Sequence, residues 1–218
     1  MIFERLEKAK VIKREKRFRL YVDYQGKELL TYLPNPGRLQ DIVYPSATVY
    51  VKRREDKKRK TLYEAVLGVQ NGVLVSLNAS LANKIFEENL FRFPVKVKEL
   101  KREFNYHGKR YDFLINSKIL VEVKSVTLVK NGVGMFPDAP TKRGSEHLEF
   151  MKDWIFEKWV IFVIQREDVR LFKPNKDLDE RFYQATQVLK RSGGVFFAFT
   201  CYVSEFGIDF KEFVDVQI

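Results

Sequence analysis

Three side chains stand out by type and spacing. Asp112 lies in the stretch YDFLI, and Glu122 and Lys124 lie in ILVEVKSV. Side chains two apart on a strand share a face, so Glu122 and Lys124 project together while Val121 and Val123 turn to the core. An acid and an amine interrupting an apolar strand are costly to bury, so they need a reason. One reason is a hard-cation site. Two carboxylates and a carbonyl hold Mg²⁺ with its waters, and the neighbouring lysine orients a water and stabilises charge developing on a phosphate. The plain alternative is a Glu–Lys pair on a solvated strand face, with Asp112 at a strand end.

Strand alternation makes this testable. A two-residue hairpin at Asn116-Ser117 sets Asp112 opposite Val121, on the wrong face. A three-residue loop, Ile115 to Ser117, sets it opposite Leu120, on the face of Glu122. The spacing therefore predicts an odd loop or a bulge, a frequent device beside active sites.

The elements that must hold these residues fall into two parts. Residues 1–80 read as five or six short strands without a helix. AKVIKREKRFRLYVDY alternates in part, Gln25-Gly26 turns the chain before KELLTYL, and PNPGRL is a loop. ATVYVKRR, LYEAVLGV and GVLVSL follow, the last two joined by Gln70-Asn71-Gly72. A small OB-type barrel fits this pattern, and so does a small sandwich. Residues 81–218 change character. A helix follows Asn78, its expected N-cap, in NASLANKIFEENLF. Strands are expected in VKVKELKREFNY, YDFLI and KILVEVKSV, then a long Gly/Pro-rich loop over about 130–144. HLEFMKDWIFEKW reads as a helix, KWVIFVIQ and DVRLF as strands, and DLDERFYQATQVLK as a helix with Leu178, Phe182, Ala185 and Leu189 on one stripe. GVFFAFTCYV reads as a last buried strand. The expected fold is α+β, a mixed central sheet flanked by helices behind the barrel.

Charge points to the partner. The formal net charge is +11, and residues 1–80 hold 17 Lys/Arg against 9 Asp/Glu, residues 81–218 only 23 against 20. A one-sided excess of +8 in the first part suits a polyanion, whose counterions Lys and Arg release. Heat adaptation explains many charges of both signs, but not their imbalance. No apolar run approaches the roughly 20 residues that cross a bilayer, and the first residues lack a signal-peptide centre. With Cys201 as the one cysteine, a cytoplasmic protein without an internal disulfide is expected.

The spacing D-x9-E-x-K resembles the PD-(D/E)XK nuclease signature. EVKSVTL at 122–128, NPGRL at 35–39, FPDAPTKRG at 136–144 and His147 together resemble the sugar fermentation stimulation protein A family. The resemblance runs from KRF at 16–18 to the C-terminal strand. It implies an OB-type domain at 1–80, a PD-(D/E)XK nuclease-like domain at 81–218, and DNA binding. It also implies Asp112 and Glu122 as metal ligands and Lys124 as the catalytic lysine. Tyr111-Asp112 stands where the signature has Pro-Asp, a tolerable departure because only the acid has a chemical role. Sites of this type draw a further acid from the preceding helix, and Glu88, on the stripe of Leu81 and Ile85, fits better than Glu87. Glu103 is a more distant candidate.

Because the Val129–Ser145 loop leaves directly from EVKSVTL, it should pass near the site. Arg143 and His147, four apart, are neighbours if a helix begins near Thr141. Arg143 would clamp a phosphate, and His147 would donate to one or act as acid or base. Lys16, Arg17 and Arg38 are the expected phosphate contacts of the barrel, and KRREDKKRK at 52–60 is a generic basic hairpin. Tyr21, Tyr24, Tyr32 and Tyr50 either stack on bases or pack the barrel. The expected function is DNA binding with Mg²⁺- or Mn²⁺-dependent phosphodiester hydrolysis. A non-cleaving DNA-binding regulator linked to sugar metabolism is the alternative. Charge does not separate RNA from DNA, homo-oligomer formation is left open, and no membrane partner is expected.

Overall fold

The computed structural model describes residues 1–54 and 61–218, so residues 55–60 of the basic run at 52–60 lie outside the described residues. Six strands build the first part: β1 (Glu7–Glu15), β2 (Arg19–Tyr24), β3 (Lys27–Tyr32), β4 (Thr48–Arg53), β5 (Tyr63–Gln70) and β6 (Val73–Ser76). They lie in the order β3-β2-β1-β4-β5-β6. A parallel pairing of Thr31 and Tyr32 on Tyr63 and Glu64 closes five of them into a barrel. That closure decides between barrel and sandwich in favour of the OB-like form. Two-residue turns at Gln25-Gly26 and Asn71-Gly72 have positive φ at both positions, which matches the twist of the hairpins they join. Val11, Leu20, Val22, Val49, Val51, Ala65 and Val75 fill the interior, and Leu39, Ile42 and Val43 plug it from the β3–β4 connection.

The second part is a nine-stranded mixed sheet. Its strands are β7 (Leu100–Tyr106), β8 (Lys109–Ile115), β9 (Ile119–Val126), β10 (Leu128–Lys130), β11 (Val133–Phe136), β12 (Lys158–Ile164), β13 (Leu171–Pro174), β14 (Gly194–Ser204) and β15 (Gly207–Val216). The order is β10-β11-β13-β15-β14-β12-β9-β8-β7. Its centre, β9-β12-β14, is parallel, and β12 is buried along its whole length, as its unbroken run WVIFVI requires. Helix α1 (Leu81–Glu88) packs Ala82, Ile85 and Phe86 on the face of Val121, Val123 and Ile161. Helices α2 (Lys142–Met151) and α3 (Glu180–Arg191) cover the other face. There Leu148, Met151, Phe182, Ala185 and Leu189 meet Leu120, Val160 and Phe162.

Four local expectations change. Asn78 is not the N-cap of α1: its side chain accepts from the Ser80 amide and hydroxyl, an Asx turn that delays the helix to Leu81. The first half of the Gly/Pro-rich segment belongs to a hairpin, β10–β11, turned at Asn131-Gly132 and joined to the sheet through β13. Helix α2 starts at Lys142, capped by the Thr141 hydroxyl, but stops at Met151, because Lys158 and Trp159 enter the parallel pairing of β12. And β14 is not the last strand, since IDFKEFVDV folds back on it as β15 through a two-residue turn.

The barrel and the sheet are joined by buried polar contacts. The fully buried Arg166 guanidinium donates to both Asp168 oxygens (2.6 and 2.7 Å), to Gln70 Oε1 (2.6 Å) and to the Thr127 carbonyl (3.1 Å). Gln165 Nε2 donates to the Asn78 carbonyl and to Ser125 Oγ, and Tyr50 donates its hydroxyl to Glu205. Among the described residues no helix is long and apolar enough to cross a membrane.

Candidate active site

Strands β8 and β9 are joined by a three-residue loop, Asn116 to Lys118, with Ile115 facing Ile119. The loop is odd, as alternation demands, although it begins one residue later than expected. This register carried forward brings Asp112 to the level of Glu122, but the ladder ends one step earlier, at Phe113 and Val121. On the other side β7 pairs Arg102 with Phe113 and Phe104 with Tyr111, and Glu103 between them sits at φ +55°. Asp112 therefore occupies a fork where the strands part. Its Oδ2 accepts the Val123 amide (2.7 Å) in place of a ladder bond, and its Oδ1 accepts Asn83 Nδ2 of α1 (2.7 Å).

Glu122 is 4% exposed. Its Oε1 accepts from Lys124 Nζ at 2.5 Å and from His147 Nδ1 at 2.9 Å, whereas Oε2 is buried with no hydrogen-bond partner. Burial alone would raise the Glu122 carboxyl, but Lys124 and His147 outweigh it and hold it below its ordinary range. Asp112 goes the other way: burial, then the charge of Glu122, push it up to about 6 against the opposition of Lys124 and its two hydrogen bonds. Two carboxylates whose environments separate their protonation, with a lysine whose charge acts on both, form the kind of cluster that marks chemistry. His147 is 3% exposed and Tyr111 donates its hydroxyl to the His147 carbonyl at 2.8 Å, so α2 is tied to β8 directly above the site. Arg143, at the exposed surface, donates Nε to His147 Nε2 at 3.3 Å.

The other expected residues divide. Glu88 does not belong to the site. It is an exposed residue at the last position of α1, paired with the Met1 amino group (3.6 Å) and Lys84 (3.8 Å). The stripe of Leu81 and Ile85 faces the core, while Asp112 is met by Asn83, roughly 140° around the helix from Glu88. Glu87 is taken by Arg102, and Glu103 points to solvent beside Arg110. His147 is no phosphate contact either, because both ring nitrogens are engaged inside the protein. Lys16, Arg17 and Arg38 are exposed. Arg17 and Arg38 line a groove of about 480 Å³ together with Arg14, Pro36, Gly37, Gln40, Ala139 and Pro140. The groove leads from the barrel loops to the segment that opens α2, where Lys142 and Arg143 are exposed.

The groove is built by contacts between the two domains. A Cβ on Gly37 would lie 2.1 Å from Asp138 Oδ2, so only glycine lets the NPGRL loop approach this carboxylate. Burial raises the Asp138 carboxyl despite the backbone amides of Leu39 and Arg38 that it accepts. Arg14 donates to the carbonyls of Arg38 (2.5 Å), Arg17 (2.7 Å) and Asn35 (3.1 Å), and so braces both basic loops at once.

Comparison with known proteins places this architecture. Residues 12–77 match the model of the SfsA N-terminal OB domain, and residues 76–207 match that of the sugar fermentation stimulation protein RE domain. The chain belongs to the sugar fermentation stimulation protein family. It is 35% identical over 231 residues to the homologue from Clostridium kluyveri, covering 100% of each chain, and 35% identical over 227 residues to that from Clostridium tetani, covering 99% of each. The structure of Pyrococcus furiosus SfsA in complex with Ca²⁺ superposes with a TM-score of 0.90 at 23% identity, covering 100% of this chain and 98% of that one. The fold of this family member is thus an OB-like barrel followed by a mixed-sheet domain. Asn83 and Arg14 are the participants that sequence reasoning missed. An asparagine early in a helix and an arginine in a basic run carry no distinguishing local signal.

Proposed function

We propose that this chain binds DNA along the barrel groove and carries a Mg²⁺- or Mn²⁺-dependent phosphodiester-hydrolysing site at Asp112, Glu122 and Lys124. The observation that carries this reading is the buried, donor-free Oε2 of Glu122 beside a second carboxylate, Asp112, whose charge is disfavoured by burial and by Glu122. A cation accounts for both. Among the described residues no three His, Cys, Asp or Glu side chains cluster as metal ligands. Mg²⁺ does not need them, since it is commonly bound by one or two carboxylates, waters and substrate phosphates. The Ca²⁺ in the complex of the Pyrococcus furiosus relative agrees with a site for a hard, oxygen-bound ion.

Asp112 and Glu122 Oε2 would hold the ion, which when bound supplies Lewis acidity and a lowered water pKa. Lys124, 12% exposed at its side chain, donates toward the charge that develops on the phosphate. Arg17, Arg38, Lys142 and Arg143 hold flanking phosphates and fix register without reading sequence. Cleavage of plasmid and single-stranded DNA with Mg²⁺ or Mn²⁺ tests this. Lys124→Ala should lose about 10²–10³-fold in rate, and activity that survives the change would place the chemistry elsewhere.

A second reading has an observation of its own: the Lys124 ammonium already neutralises Glu122 at 2.5 Å. The same pocket could then be a binding surface of a non-cleaving DNA-binding regulator. DNA affinity with steep salt dependence and no cleavage under either metal favours that reading. An RNA substrate is separated by running the same assays on RNA of matched sequence.

A further inference from the structure

Glu122 is gripped on one side only. Lys124 and His147 converge on Oε1, and nothing donates to Oε2. The two oxygens are equivalent, so what must be fixed is the plane of the carboxylate, and only an immobile donor fixes it. Lys124 is a poor anchor, because its ammonium is a point charge on a flexible stem. His147 is immobile for three reasons. It is buried, its carbonyl is held by Tyr111, and its Nε2 faces the Arg143 guanidinium. Arginine has only donors to offer, so Nε2 must accept and the ring proton must sit on Nδ1, directed at Glu122 Oε1.

The geometry points to His147 as a positioning residue: with its tautomer set by the acceptor Glu122 on one side and the donor Arg143 on the other, it clamps Glu122 Oε1 and leaves Oε2 as the oxygen presented to a divalent cation. This rests on the metal reading above. It assigns His147 neither to the ion nor to the substrate, and it gives Arg143 an inward role besides any phosphate it meets. Histidine–carboxylate contacts of this outer kind are known to tune metal sites strongly.

The test is Mn²⁺ binding by calorimetry on the full chain without nucleic acid. His147→Leu should weaken Mn²⁺ by about 10–100-fold. His147→Asn, whose amide nitrogen falls near the place of Nδ1, should restore most of the loss. In the metal-free protein, ¹⁵N NMR of the ring should show the Nδ1–H tautomer, which the ionised Glu122 acceptor and the Arg143 donor both require. The inference is overturned if folded His147→Leu binds Mn²⁺ as tightly as the parent. It is equally overturned if the parent ring carries its proton on Nε2, a reading that stands even when the leucine variant does not fold. A parent chain that takes up no Mn²⁺ removes the metal reading and this assignment together, whereas tight binding by parent and leucine variant alike removes the assignment alone.

Discussion

At the scale of the residue, Asp112 is where stability and the proposed activity conflict. Burial, and then the charge of Glu122, push its carboxyl up to about 6 in the fold from the ordinary 3.8. The folded chain therefore keeps this proton longer than the unfolded one. The stabilisation that follows is complete below the unfolded value and is lost as pH rises through the folded value. In chelator, Asp112→Asn should be more stable than the parent above about pH 7 by on the order of 1–3 kcal/mol, and the gap should close near about pH 4. Asn83 can turn its amide to meet the new side chain, so the substitution need not orphan a donor. Thermal melts across pH decide it, and a gap that widens in acid would reverse the sign. The three central residues were legible in sequence because charge inside an apolar strand is conspicuous. The role of His147 was not, because its buried environment depends on how α2 docks over β9.

At the scale of the element, the odd β8–β9 loop was deducible because alternation allows only two outcomes. The helical acid was not deducible. Periodicity says which side of α1 is apolar, but Asp112 approaches from the edge of that side, where Asn83 stands. Strand β11 is hidden in the sequence for a related reason: Gly and Pro mark the turns around it, and only pairing with β13 reveals the strand between them. The same dependence on docking governs the basic groove. Arg38→Ala should reduce the slope of log affinity for DNA against log salt by about 0.9, as one lost phosphate contact does. Arg14→Met should weaken DNA binding more than removal of either exposed arginine, because it frees the carbonyls of Arg17, Arg38 and Asn35 together. Equal effects of Arg14→Met and Arg38→Ala would show that Arg14 acts as one more cation and not as a brace.

At the scale of the molecule, barrel and sheet are coupled through a charge that has no access to water. Arg166 is 2% exposed and Asp168 is its counterion. Burial pushes Asp168 up, yet Arg166 wins and holds it below its ordinary value. Asp168→Ala leaves the guanidinium buried without its partner and should cost about 3–5 kcal/mol in denaturant unfolding. A loss within the range of ordinary surface substitutions would mean that Gln70 and Thr127 suffice. The sheet order has a further consequence, for the growing chain. Strand β9, which carries Glu122 and Lys124, finds its parallel neighbour only when residues 158–164 exist, and β12 in turn waits for residues 194–204. Until then the segment Ile119–Val126 is an apolar strand with an open edge, the kind that pairs with other chains. A chain halted near residue 157 should therefore aggregate or occupy chaperones, although every strand of its barrel is complete by Ser76.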